Sequence, residues 1–340
     1  MAYLKGSKGY VMLSVKQDTF GTAKAPTITG TISAGEDLKI QKASKQVLTD
    51  RIRNKVAPDY VQLGRTSVAG TLTYDFIPNE AMALNLAMVL GSNNTVSGSA
   101  TTGYTHTFNA WSACTGIPQS GVTIQKLVGG CTNVMLADYI SMFANSLELT
   151  IPEDGIVTYA VNYMGVKNQY GVSTLATPSY SNVNPFEGWM AKVSVGATIG
   201  AVADVAMKEC KLTINNNQQM ITDHNASNQY PSGFAMGTRT AEMEITITQE
   251  DNLTFYNYFK DDTVNAVQLT LTHPTLAGSS SGVHSLTVKL PRVTWLGDEP
   301  TLDSADVITA TYKLQALWDT TTGYDIQAVL VDGVTGVLVV

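Results

Sequence analysis

The chain has 340 residues, with 21 Lys+Arg against 28 Asp+Glu, a formal net charge of −7 and only 14% charged residues. Soluble domains typically hold about 25% charge, so a chain this sparse, with 44% hydrophobic residues, has a surface either taken up in an assembly or kept wet by hydroxyls and amides. The acidic balance argues against tight phosphate binding, because nucleic-acid affinity rests on Lys and Arg displacing counterions. The 28 Gly and 11 Pro exclude collagen-like and linker-like chains, and the apolar content excludes wholesale disorder.

Met1-Ala2-Tyr3-Leu4-Lys5-Gly6-Ser7-Lys8-Gly9 has no apolar h-region behind it, so no signal peptide is expected. The longest apolar run, 81–90, is about half the ~20 residues a membrane span requires. The expectation is a soluble protein made in a cytoplasm, with no membrane partner. Cys114, Cys131 and Cys210 are odd in number and lie in no metal-ligand spacing, which predicts buried small hydrophobes.

In chain order, period-two alternation predicts strands at 9–15, 27–33 and 71–76, where Leu72, Tyr74 and Phe76 share a face opposite Thr71, Thr73 and Asp75. A helix follows over 78–91, with Asn79 as N-cap, Glu80 at the positive end of its dipole and Gly91 at C′. Its apolar stripe is Met82, Leu84, Met88 and Val89. Strands at 147–151 and 156–163 flank the turn Glu153-Asp154-Gly155, and further strands are expected at 189–195, 211–214 and 242–248. A second helix is expected over 251–260, carrying Leu253, Phe255 and Phe259, and the last strands at 266–272, 285–290 and 307–317.

Both helices follow directly on an alternating strand, which prompts a search for internal repetition. Shifted by about half its length, the chain matches Gln46-Val47-Leu48-Thr49-Asp50 to Gln219-Met220-Ile221-Thr222-Asp223. The same shift matches Leu63-Gly64 to Met236-Gly237, each ahead of its strand and helix. Two homologous domains are expected, 1–180 and 185–340, joined through the Pro/Ser/Asn-rich stretch 177–184.

A half of this kind, with residues 64–91 and 237–260 as strand-plus-helix units and Leu212-Thr213-Ile214-Asn215-Asn216-Asn217 as a strand before an Asn-rich turn, resembles the tail tube fold of long-tailed bacteriophages. The resemblance implies an all-β fold, a β-sandwich or barrel with one short α-helix per half, whose inner sheets join neighbours into a continuous tube. It further implies fused domains, so that a trimer reproduces a pseudo-hexameric ring. Implied partners are other copies of the chain, a tape measure protein, tail tip or baseplate and terminator proteins, and DNA passing without specific binding. Asp75, Glu148, Glu242 and Glu244 are the candidates for the lumen wall. The long segment 41–61, with Lys42, Lys45, Arg51, Arg53 and Lys55, is the candidate loop to the next ring. Glu80, Leu84, Met88, Leu253, Phe255 and Phe259 are assigned to outer helices.

Signals of catalysis are weak. His106, His224, His273 and His284 sit singly in Thr/Asn/Ser-rich contexts and are expected in loops or at the surface, with no H-E-x-x-H pair. No nucleophile elbow is expected, the 278–282 segment lacks the Lys and strand-to-helix setting of a phosphate loop, and Glu153-Asp154-Gly155 is better explained as a hairpin turn than as paired carboxylates. No metal, cofactor or enzymatic activity is expected. The alternative is a carbohydrate- or receptor-binding β-sandwich of a tail tip or capsid surface, with Trp189 and Phe186, or Tyr256 and Tyr258, as an aromatic platform.

Overall fold

The computed structural model describes residues 5–33, 41–48, 61–91, 94–112, 121–129, 134–171, 175–223, 229–248, 254–296 and 309–333. Strands β1 (Lys5–Leu13), β2 (Ile28–Gly30), β3 (Gln41–Leu48) and β4 (Val61–Asp75) lead into helix α1 (Glu80–Leu90). Then come β5 (Asn94–Ser99), β6 (Gly103–Asn109), β7 (Val122–Gly129), β8 (Val134–Ile151), β9 (Thr158–Gly165) and β10 (Lys167–Tyr170). The remainder comprises β11 (Ala191–Gly196), β12 (Val202–Val205), β13 (Met207–Asn215), β14 (Gln219–Ile221), β15 (Gly233–Ala235) and β16 (Thr240–Thr248), then α2 (Thr254–Lys260). It ends with β17 (Asn265–Leu276), β18 (Val283–Leu296), β19 (Thr309–Ala316) and β20 (Gln327–Asp332). Among the described residues the molecule is all-β with two α-helices, and no barrel closes.

Every strand pairing is antiparallel, and one path is traced twice. The N-terminal strands run β2-β1-β7-β8, and β8 continues into β8-β9-β4-β3, with β10 beside the first part of β8. The C-terminal strands run β12-β11-β17-β18, and β18 continues into β18-β19-β16-β13, with β20 beside the first part of β18. Even an irregularity recurs. The register slips between Val122 and Ile124 where β7 meets β8, and between Asn265 and Val267 where β17 meets β18.

The two sets join edge to edge, because β13 pairs with β16 on one side and with the last part of β8 on the other, from Cys210↔Ile151 to Asn215↔Ser146. One continuous sheet therefore runs β3-β4-β9-β8-β13-β16-β19-β18. Its inner face carries Leu72, Tyr74, Leu147, Tyr159, Val161, Leu212, Met243, Ile245, Tyr312 and Leu314, all buried. Burial of this apolar face, at roughly 25 cal/mol per Å², is what drives the sheet to pack.

Against that face lies α1. Asn79 caps it as its spacing predicts, its side-chain oxygen accepting from Met82 N–H at 3.1 Å, and Gly91 ends it with φ 106°. The predicted stripe is too narrow, however: all of residues 81–90 are buried. The cause is the β5–β6 hairpin, which extends the C-terminal sheet by pairing β6 with β20 and touches α1 from the opposite side. The helix is thus an interior element, and Leu84 and Met88 are core residues rather than part of an outer surface. A buried polar chain ties it to the sheet. Tyr74 Oη and Tyr163 Oη lie 3.0 Å apart, and Tyr163 donates to Asn85 Oδ1 at 2.7 Å. Desolvation raises the phenol pKa of Tyr74, Tyr159 and Tyr163.

Three other expectations change. Residues 41–48 are a strand hairpinned onto β4 rather than loop. His106, His273 and His284 are buried, because β6 and β18 enclose β20 between them, with His106 on Asp332, and His273 packs on Phe186; His224 lies outside the described residues. Phe186 is fully buried, 4.8 Å from Phe76 between ring centroids, while Trp189 stands 68% exposed, so these two do not form a shared platform. Cys210 is a buried thiol pushed up to about 12 by desolvation; Cys114 and Cys131 lie outside the described residues.

Candidate functional site

The outer face of the continuous sheet is polar from β4 to β19. Register places Asp75, Thr158, Thr150, Lys211, Glu244 and Lys313 in one row across the strands, and Thr73, Ala160, Glu148, Thr213, Glu242 and Gln315 in the next. Two residues in each row are carboxylates. Asp75, Glu148, Glu242 and Glu244 thus stand together on one surface although their strands come from both ends of the chain. Lys211 Nζ lies 3.0 Å from Glu148, and Lys313 Nζ lies 3.9 Å from Glu244. Asp75 and Glu242 have no ion-pair partner within 4 Å among the described residues. Hydroxyls and amides fill the space between, as in the Asn162 Nδ2 bond to Thr71 Oγ1 at 3.2 Å and the Thr246–Thr311 hydroxyl contact at 3.1 Å.

The ends of this sheet are unpaired edges among the described residues: β3 beyond β4, and the last residues of β18 beyond β19. Unpaired N–H and C=O rows of this kind are templates for further strands. Leu296, the final residue of β18, is 45% exposed.

The joint between the two strand sets is fastened from several sides. Asn216 donates through Nδ2 to Val89 O at the end of α1 (2.9 Å), its N–H bonds Asn145 O (2.9 Å), and Gln218 Nε2 donates to Ala144 O (2.9 Å). The predicted Asn-rich turn is therefore a clamp. Asn217 adopts φ 47° there, a left-handed conformation Asn tolerates. A second fastening is Arg239, which a bidentate pair with Asp325 of the same set (Nε and Nη2, 3.0 and 2.6 Å) holds in place while its Nη1 donates across to Trp111 O (3.1 Å). The guanidinium also stands 5.0 Å from the Trp111 ring centroid.

A family model described as phage tail tube protein matches residues 7–316. The chain belongs to the phage tail tube family. No individually curated protein matches it. As a tail tube protein it is a structural component of the virion tail, one that assembles with copies of itself and with other parts of the tail.

The residues singled out from sequence divide accordingly. The structure brings the four carboxylates onto one surface. Lys42 and Lys45 lie on β3, while Arg51, Arg53, Lys55 and Leu253 lie outside the described residues. The arm built from β3 and β4 meets the excursion between β13 and β16, through Thr66 N–H to Gln229 O (3.0 Å) and Arg65 Nη2 to Asp223 O (2.8 Å). Phe255 and Phe259 are half-buried on α2, with Phe255 5.8 Å from Trp295, and Glu80 is half-buried with its carboxyl pKa raised by desolvation. Gly278-Ser279-Ser280-Ser281-Gly282 carries the G-x-S-x-G spelling, yet it turns strand into strand rather than strand into helix. Its backbone is tied to Thr101 O, so it is a hairpin turn. No group of three His, Cys, Asp or Glu residues with metal-binding geometry occurs among the described residues. No helix among them is long and apolar enough to cross a membrane.

Proposed function

We propose that this tail tube protein forms rings that stack into the hollow conduit through which phage DNA passes into the host. It is assembled in the host cytoplasm around a tape measure protein and bounded by tail tip or baseplate and terminator proteins. Each chain supplies two homologous domains, 1–180 and 185–340, so that three chains supply a pseudo-six-fold ring. The observation that carries this reading is the strand path traced twice and joined edge to edge into one sheet. A repeated unit that already pairs with its neighbour through sheet edges is built to repeat around an axis, which removes the exposed edges.

In this reading the polar face bearing Asp75, Glu148, Glu242 and Glu244 lines the lumen. Acidic side chains repel phosphate and leave water between wall and duplex, so DNA slides. The arm from β3, with residues 41–61 and the basic Lys42, Lys45, Arg51, Arg53 and Lys55, reaches the next ring. The role is structural, with no catalytic step and no cofactor. Electron microscopy of the purified chain tests it. Rings or hollow tubes are expected; a chain that stays monomeric at all concentrations, with or without tail tip proteins, overturns it.

A further inference from the structure

We infer that Trp189 of one ring seats in the cleft between Trp111 and Trp318 on the facing end of the next ring. The inference rests on the stacked-ring reading above; the occupant of the cleft is a second copy of this chain.

The two features lie at opposite ends of the same strands. The continuous sheet is built of two four-strand units, β3-β4-β9-β8 and β13-β16-β19-β18, and their register orders its ends. At one end Asp75 pairs with Thr158, Thr158 with Thr150, and Thr150 with Lys211. The turn between β8 and β9 follows there, and the Gly188 N–H bonds Gly155 O within it at 2.9 Å, which puts Trp189 at that end. At the other end Ser146 pairs with Asn215, and Asn215 with Thr240. The cleft is at this second end, because Met236 and Arg239 lead into β16, Trp318 follows β19, and the Trp111 N–H bonds Leu90 O at the close of α1 (2.9 Å). Strands of a closed barrel run from rim to rim, tilted by roughly 35–45°, so knob and cleft face opposite ways along the tube. Head-to-tail stacking turns one toward the other.

The two surfaces also match in chemistry. Trp189 is the most exposed large hydrophobic side chain among the described residues, and Ile156, which bridges to Glu187, is exposed with it. The Trp189 indole N–H donates to the Glu187 carboxylate, and a Cβ on Gly188 would stand 2.0 Å from Pro152 O, so the ring is tied and the backbone beneath it is tightly packed. A side chain held in place before contact loses little freedom on binding. The cleft has a volume of about 500 Å³ and is lined by Trp111, Met236 and the partly exposed Trp318, beside the Arg239–Asp325 pair. Trp is among the residues that most often anchor interfaces by filling such sites. Charge agrees with this fit. Around the cleft and the neighbouring arm stand Lys42, Lys45, Arg65, Arg239 and Arg292 against Asp223, Asp319 and Asp325, and around Trp189 stand Glu153, Asp154 and Glu187 against Lys208. One end has a basic excess and the other an acidic one, so complementary charge sets the polarity of stacking.

The test places a photoreactive side chain on the knob, Trp189→p-benzoylphenylalanine, co-assembles it with excess parent chain, and irradiates the tubes. Cross-links to the 236–239 segment or to Trp318 are expected from tubes, and none from separated rings. Trp189→Ala provides a second reading: a chain folded by circular dichroism that forms rings but needs about tenfold or more concentration for tube growth. Trp318→Ala is expected to do the same, with the double variant little worse than either. Parent-like tube growth by Trp189→Ala, cross-links to residues 41–61 or to another surface, or the same cross-links in separated rings overturn the assignment and leave the tube reading intact. A parent chain that forms no stacked rings overturns the tube reading itself.

Discussion

Glu148 on β8 and Lys211 on β13 meet at 3.0 Å across the joint between the two four-strand units. Both side chains are nearly half exposed, 41% and 46%, so water screens the pair and it contributes about 0–1 kcal/mol. Its meaning lies in position. The ammonium group is held against a carboxylate on the polar face instead of projecting toward whatever that face meets. Lys211→Met is therefore expected to change the denaturation midpoint little while making the face more acidic. A loss of stability above about 1 kcal/mol in urea titration would contradict this.

The same surface yields a sharper expectation. With Asp75, Glu148, Glu242 and Glu244 all replaced by Lys, tubes are expected to bind free duplex DNA at low salt, and genome delivery is expected to slow. A solvent-facing position such as Glu242 taken alone changes stability by roughly 0.5 kcal/mol or less, but new ammonium groups beside Lys211 and Lys313 add repulsion. Binding should weaken steeply with salt, because it would come from counterion release. Gel shifts of parent and variant tubes across a salt series measure it; equal retention of DNA by both removes these residues from the lumen.

Arg239 fastens the joint differently. Its side chain is 6% exposed and that of Asp325 13%, so the bidentate pair is sheltered from water. Arg239→Ala leaves the sheltered Asp325 carboxylate with the Ile326 N–H as its remaining bond, and is expected to cost about 1–3 kcal/mol. Arg239→Lys also loses the fork and the stacking on Trp111, and is expected to be clearly destabilising despite keeping the charge. Urea titrations of both variants decide it, and parent-like midpoints would refute the assignment.

Tyr163→Phe tests the polar chain beneath the sheet. The substitution keeps the ring but removes the donor to Asn85 Oδ1 and the partner of the Tyr74 hydroxyl. Groups left unsatisfied in a buried site cost about 1–3 kcal/mol. A much smaller loss in thermal or urea unfolding would mean that the chain contributes little to holding α1 on the sheet.

How much of this was readable beforehand depends on whether a segment has one wet face. Leu72, Tyr74 and Phe76 alternate with Thr71, Thr73 and Asp75, so β4 shows its period in the sequence, and Asn79 and Gly91 mark the ends of α1 by their chemistry. Residues 136–144 of β8 are buried on both faces, which erases the alternation. The β5–β6 hairpin, rich in Ser, Thr and Gly, has the composition of a loop. Without a sign of that hairpin in the sequence, the burial of His106 and of the far side of α1 has no sign there either. The polar face was legible residue by residue. Its assembly from both ends of the chain was not, since β8 and β13 meet through backbone groups that carry no sequence signature.

The last expectation concerns acid. His273 on β17 and His284 on β18 are 3% and 4% exposed, and desolvation lowers both below the ordinary value of 6.5. The groups around them act in both directions. Asp332 on β20 attracts a proton to His284, Glu187 does so for His273, and the two histidines oppose each other's charging. His106 on β6 holds Asp332 at 3.1 Å, and Glu80 of α1 feels the same carboxylate. Burial is the largest influence on each histidine. A folded pKa below the unfolded one means that the unfolded chain binds protons first as pH falls. The stabilisation is complete above about 6.5 and is lost as pH drops through the lowered folded values. Glu80 and Asp138, raised by desolvation, act with the opposite sign, and their window lies lower, starting from the ordinary carboxyl range. Urea midpoints are therefore expected to hold level from pH 8 to 7 and to decline from about 6.5 toward 5. His284→Asn, which cannot take up the proton, should show a shallower decline than the parent chain; an identical slope in both, or a flat profile down to pH 5, would place the acid sensitivity elsewhere.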